Sequence, residues 1–95
     1  MPDVYVLVPL RAFARDLERV PAKTATQIAA TIDRLAGDPR PRGVESLSGW
    51  PGYYRIRVGQ YRVVYVIDDE ARTVILTTAG HRRDVYERFK RRMGR

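Results

Sequence analysis

No cysteine occurs among the 95 residues, which removes disulfide staples, zinc–cysteine sites and thiol nucleophiles together. That composition suits a reducing compartment, so a cytoplasmic location is expected. There is no run of 18 apolar residues, and Met1-Pro2-Asp3 lacks the basic start and hydrophobic stretch of a signal peptide. No membrane span or membrane partner is expected. Internal repeats and low-complexity tracts are absent, and nothing resembles a metal cluster, so no metal or other cofactor is expected. Length allows one domain over residues 1–95, burying roughly 60–65% of its unfolded surface, and is too short for two. Lysine is also scarce: of 18 basic residues 16 are arginine, whose planar fork binds phosphate bidentately and stacks on bases.

What is present is a strong positive charge, unevenly placed. With 44% apolar residues the chain has material for a core despite a net charge of +7. Residues 1–50 carry seven basic and six acidic side chains (+1), whereas residues 51–95 carry eleven and five (+6). The C-terminal half therefore suits a polyanion: nucleic acid, or an acidic protein segment that folds across it.

Hydrophobic spacing gives the order βααβββα, an α+β domain. Val4 to Val8 is apolar on both faces and reads as a buried strand ended by Pro9. Leu10, Phe13, Ala14, Leu17 and Val20 share one face of a helix, with Arg11, Arg15 and Arg19 on another. Pro21 closes that helix and opens a second, striped by Ile28, Ile32 and Leu35 and stopped at Gly37. Four glycines and three prolines between Gly37 and Gly52 read as a loop, pinned by Leu47 and Trp50. Residues 53–58, 61–67 and 73–78 then form an antiparallel meander, with Gly59-Gln60 as a two-residue turn. Asp84 can cap a last helix whose apolar face is Val85, Phe89 and Met93 and whose remaining surface is basic through Arg88, Lys90, Arg91 and Arg92. The helical hairpin covers one face of a twisted antiparallel sheet and leaves a basic opposite face.

The two-residue turn fixes the register. Val58 faces Tyr61, Arg57 faces Arg62, Ile56 faces Val63 and Arg55 faces Val64. Tyr54, Ile56, Val58, Tyr61, Val63, Tyr65 and Ile67 then point to the core, and Tyr53, Arg55, Arg57 and Arg62 to the other side. Like charges directly across a strand pair destabilise by about 0.2–1 kcal/mol, and an anion between Arg57 and Arg62 reverses the sign. A merely solvated basic face with splayed guanidiniums is the competing reading. The run Gly80-His81-Arg82-Arg83-Asp84-Val85-Tyr86 enters the last helix with two more arginines, a tyrosine one turn inside it and the backbone N–H groups of a helix start.

These runs, together with Tyr54-Arg55-Ile56-Arg57-Val58 and Tyr61-Arg62-Val63-Val64-Tyr65, resemble the RelE/ParE superfamily of bacterial toxins, on its RelE side, over nearly the whole chain. The resemblance implies the toxin of a type II toxin–antitoxin pair: a metal-independent, ribosome-dependent endoribonuclease that cuts messenger RNA in the ribosomal A site. It implies a cognate acidic antitoxin, a hetero-oligomeric complex, and the ribosome and mRNA as further partners. By position Arg62, Arg82 and Tyr86 match catalytic residues, and Arg55 and Arg57, where relatives often carry lysine, match the basic residues of the second strand. Tyr53 and Arg83 are added as RNA-binding candidates. His81 is a second candidate for the proton, because imidazole titrates closer to neutrality than phenol. The alternative within the superfamily is a ParE-like, non-catalytic toxin that inhibits DNA gyrase. A plain nucleic-acid-binding module is the third reading.

Overall fold

Eight elements follow one another in the computed structural model, which describes residues 4–94: β1 (Val6–Pro9), α1 (Arg11–Glu18), α2 (Ala22–Leu35), β2 (Glu45–Ser46), β3 (Tyr53–Val58), β4 (Tyr61–Asp68), β5 (Thr73–His81) and α3 (Val85–Met93). The strands form a single sheet in the order β1-β5-β4-β3-β2. The α+β class holds, with two changes. The sheet is mixed, because β1 runs parallel to β5, and the glycine-rich connection contributes the short strand β2, antiparallel to β3.

The β3–β4 hairpin has the expected register, with Arg57 opposite Arg62 and Ile56 opposite Val63. Gly59 supplies φ +60° at the first position of the turn, which suits the backbone twist of a hairpin with glycine there. Alternation along β4 divides the core in two. Val63, Tyr65 and Ile67 join Phe13, Ile28, Ile32 and Leu35 under the α1–α2 hairpin. Val64 faces the other way and joins Val85 and Phe89 of α3, with Leu47, Trp50, Tyr53, Tyr86 and Met93 around them. The face opposite the helical hairpin is thus partly roofed by α3 rather than basic throughout. Trp50 pins the loop as expected, its ring 4.7 Å from Phe89 and 5.5 Å from Tyr53 in edge-on contacts.

Residues 4–8 are not a buried run. They lie at the outer edge of the sheet, and Val4, Val6 and Val8 are 63%, 61% and 39% exposed, while Tyr5 and Leu7 pack on the core. A strand with one neighbour and no layer over one face buries only alternate side chains.

Beyond Leu76 strand β5 outruns β1 and would leave an open backbone edge. Side chains close it. Asp16, only 2% exposed on α1, accepts the Ala79 N–H at 2.9 Å; Arg88 donates to the Ala79 carbonyl at 2.8 Å and Arg92 to the Thr77 carbonyl at 2.8 Å. Arg92 also donates to both oxygens of Asp16, at 2.8 and 3.1 Å. Two arginines that read from sequence as a solvated basic face are therefore turned inward, because buried backbone groups need partners and a buried carboxylate needs a counter-charge.

The glycine-rich connection is tied down by Tyr65, which donates to the Pro39 carbonyl at 2.8 Å, and by Arg40, which pairs with Asp69 at 2.8 Å and reaches Tyr54 at 3.1 Å. The guanidinium holds the Asp69 carboxyl below its ordinary range, and burial pushes the Tyr65 phenol up. None of the helices among the described residues is long and apolar enough to cross a membrane.

Candidate functional site

Period two along the hairpin sends Arg55 and Arg57 of β3 and Arg62 of β4 to the side away from the α1–α2 layer. Strand β5 continues through His81, further than its sequence pattern suggested, and the chain turns at Arg82. The Arg82 N–H donates to the Gln60 carbonyl at 2.8 Å, and its Nε donates to Gln60 Oε1 at 2.8 Å. Arg62 folds its Nη1 onto the Gly59 and Tyr61 carbonyls at 3.3 and 3.0 Å. The hairpin turn thus holds both guanidiniums at one end of the sheet. The role of Gln60 had no signal in the sequence beyond its place in the turn.

Helix α3 brings the remaining residues. Its start is made by backbone bonds, Asp84 N–H to the His81 carbonyl at 2.9 Å and Arg88 N–H to the Asp84 carbonyl at 3.1 Å; the Asp84 side chain makes no cap hydrogen bond, contrary to expectation. Gly80 is a buried strand residue, where a Cβ would stand 2.9 Å from Arg88 Nη1. At the second residue of the helix, Tyr86 lies under Arg55, whose guanidinium carbon is 5.4 Å from the ring centroid. Arg55 is also bound by Glu45 of β2, with Oε1 accepting from Nη2 at 2.6 Å and from Nε at 2.9 Å. That hydrogen-bonded carboxylate raises the arginine above its ordinary pKa.

The result is a cleft of about 460 Å³ lined by Arg55, Arg57, Arg62, Arg82, Arg83, Tyr86, Glu45 and Gly43. Five guanidiniums face one carboxylate, Glu45. Among the described residues the Arg57 side chain has no hydrogen-bond or ion-pair partner. Six of the eight residues singled out from sequence line this one concavity. The other two do not. His81 lies opposite Tyr61 across the strand pair, their rings 5.5 Å apart, and its Nδ1 accepts the Arg83 N–H at 3.2 Å. Because Tyr61 packs with the helical-hairpin core, its cross-strand neighbour His81 stands on that side of the sheet, away from Arg62. Tyr53 belongs to the aromatic cluster with Trp50 and Phe89 that supports Tyr86 from behind. Glu45 was missed because it sits in a segment that read as loop.

A concavity of this make-up suits an anion, with donors already arranged by the turn and the strands, and a phosphodiester suits it better than a carboxylate, since several guanidiniums converge on one volume. Among the described residues no group of three or more histidine, aspartate or glutamate side chains could hold a metal ion.

Comparison with known proteins gives one consistent picture. Residues 7–86 match the family described as the ParE toxin of type II toxin–antitoxin system, parDE. The toxin RelG of Mycobacterium tuberculosis is 35% identical over 78 residues, spanning 78% of this chain and 86% of that protein. The toxin–antitoxin complex RelBE2 of the same organism contains a chain that superposes with a TM-score of 0.72 at 28% identity, covering 82% of this chain and 91% of that one. A mutant of the E. coli toxin RelE in the free state superposes with a TM-score of 0.77 over 95% of this chain and 98% of its own, and at 22% identity that likeness is one of fold.

Proposed function

The chain belongs to the ParE toxin family of type II toxin–antitoxin systems and is a toxin of RelE/ParE type; on that premise we propose that it is a ribosome-dependent mRNA endoribonuclease that arrests translation. The observation that carries this reading is the cleft itself: five arginines and one tyrosine around a single volume with one opposing carboxylate.

RNA cleavage of this kind begins with attack of the ribose 2′-OH on the adjacent phosphorus and ends with a 2′,3′-cyclic phosphate and a free 5′-OH. The enzyme has to align nucleophile and leaving group, move a proton, and stabilise the charge gathering on the phosphorane oxygens. Arg62 and Arg82 grip the scissile phosphate and stabilise that charge; a donor aimed at it is worth about 2.7–4 kcal/mol. Their tethers to the turn carbonyls and to Gln60 pre-orient them, so little ordering is left to the moment of reaction. Arg55 and Arg57 act electrostatically, since a guanidinium does not give up its proton near neutral pH. Arg83 holds the RNA backbone at the rim. Tyr86 handles the proton at the ribose, and Arg55 over its ring fixes its place. His81 is the less suitable proton carrier, with its ring against Tyr61 and one nitrogen engaged by the Arg83 N–H. Tyr53 supports the wall rather than touching the RNA.

The toxin acts in the cytoplasm and is held in check by an acidic antitoxin that covers the arginine cleft. Support comes from the M. tuberculosis structure, in which the similar chain is part of a toxin–antitoxin complex, and from the +6 charge of residues 51–95. A second reading is favoured by the family match, which carries the ParE description: a non-catalytic toxin that poisons DNA gyrase.

Induced expression followed by mapping of transcript 5′ ends tests the proposal. Cuts in phase with codons are expected. Intact transcripts together with lost supercoiling by purified gyrase would move the assignment to the second reading.

A further inference from the structure

The arginine cleft does not end at Arg57. A second concavity, about 500 Å³, opens on its far side and is lined by Arg34, Arg42 and Arg57 with Asp38, Thr31, Pro41, Gly43 and Ile56. Arg57 and Gly43 line both. The two volumes are therefore neighbours across one shared arginine, and Gly43 leaves the passage open: its φ is +93° and nothing lies within 4 Å of where a Cβ would be.

The chemistry of the second volume differs from that of the first. Three arginines face one carboxylate, Asp38, whose Oδ1 already accepts the Arg40 N–H at 3.3 Å. Arg34, Arg42 and Arg57 are exposed, and among the described residues the Arg34 side chain makes one long hydrogen bond, 3.5 Å, to Thr31. Pro41 and Ile56 add an apolar wall, and no tyrosine or histidine is present to move a proton. Cations beside an apolar wall, with no tyrosine or histidine in the lining and the one carboxylate already hydrogen-bonded, suit a nucleotide that is bound and not cut: guanidiniums for its phosphate, proline and isoleucine for its base. An acidic peptide satisfies the charge but leaves the apolar wall unused.

We propose that Arg34 and Arg42 form a flanking-nucleotide subsite, which takes the RNA backbone next to the scissile phosphate and is joined to the catalytic cleft through Arg57. This deepens the ribonuclease reading and rests on it. The subsite works by charge, so it governs how tightly and in what register RNA lies across the cleft, while the chemical step stays with Arg62, Arg82 and Tyr86.

The test uses the full chain and uncleavable 2′-O-methyl oligoribonucleotides of increasing length, with binding read by fluorescence anisotropy across a salt series. Wild type should gain affinity as the oligomer outgrows the catalytic cleft. The variant carrying Arg34→Ala and Arg42→Ala should lose that gain, and its salt slope on long oligomers should fall by about 0.7 for each phosphate contact removed. On programmed ribosomes the same variant should raise KM and leave kcat in place. An undiminished length dependence in the double variant overturns the subsite. Weakened binding of polyglutamate with unchanged RNA binding also overturns it, in favour of an acidic protein. Arg57→Ala with Arg62→Ala is the control for the reading beneath: if that variant binds even the shortest oligomer like wild type, the RNA assignment of the whole cleft fails, and not the extension alone.

Discussion

Arg92, near the end of α3, grips both carboxylate oxygens of Asp16 on α1 at 2.8 and 3.1 Å, while Asp16 holds the Ala79 N–H of the strand that lies between the two helices. Arg88 approaches the same carboxylate at 3.7 Å. A buried charge joined to two arginines and a backbone amide ties α3, and with it Tyr86, to the helical hairpin on the far side of the sheet.

Removing Asp16 should accordingly be costly. Asp16→Ala strands two partly buried guanidiniums and one buried N–H, and it should destabilise by about 3–5 kcal/mol. Asp16→Asn, which still accepts from Ala79, should lose less. Urea unfolding of both variants is the check, and a loss below about 1 kcal/mol for the alanine variant contradicts the bracing role.

The edge of the sheet shows what the sequence could and could not disclose. The β3–β4 register was legible because a two-residue turn and strict alternation leave one solution, and that solution put Arg57 against Arg62. The position of Val4 to Val8 was not legible, since an all-apolar run fits a central strand and an outer one equally well. Asp16 reads as one more polar residue on a charged helix face; its burial follows from an unpaired backbone edge 63 residues away. Arg88 and Arg92 share that history. Glu45 and Gln60 lie in a loop and a turn, where only the folded chain shows which side chains meet the cleft. The place of His81 was hidden for a related reason: strand β5 extends through it, and strand alternation sends its ring to the other face.

Tyr65 makes stability sensitive to alkali. Its phenol is buried, donates to the Pro39 carbonyl, and has a pKa raised by desolvation. A raised folded-state value means that the stabilisation is complete below the unfolded tyrosine pKa of about 10 and is lost as pH rises above it toward the folded value. In that window Tyr65→Phe should flatten the fall of stability by about 1.4 kcal/mol per pH unit at most. Chemical denaturation on either side of pH 10 measures it, and equal slopes for both proteins count against a neutral buried Tyr65.

Glu45 restrains the cleft electrostatically. The Arg55–Glu45 pair is 38% and 65% exposed, so Glu45→Gln should change stability by less than about 1 kcal/mol. It should tighten binding of 2′-O-methyl RNA and strengthen its salt dependence, because Arg55 is released to a phosphate. Weaker RNA binding in this variant is the contrary outcome.

Tyr86→Phe separates chemistry from binding. Packing of the ring on the Val64, Val85 and Phe89 cluster and under Arg55 is retained, so affinity for uncleavable RNA should stay within about twofold, while cleavage falls on the order of 10² to 10⁴. Full cleavage by the phenylalanine variant returns the proton to another group, with His81→Ala as the companion measurement.

The most direct measurement is single-turnover cleavage of mRNA on programmed ribosomes by Arg62→Ala, by Arg82→Ala and by the double variant, each shown by circular dichroism to be folded. Each single change should slow cleavage by about 10² or more, and the double variant should cut nothing detectable. Cleavage by the folded double variant at a rate near that of wild type contradicts the assignment of the arginine cleft as the site of RNA cleavage.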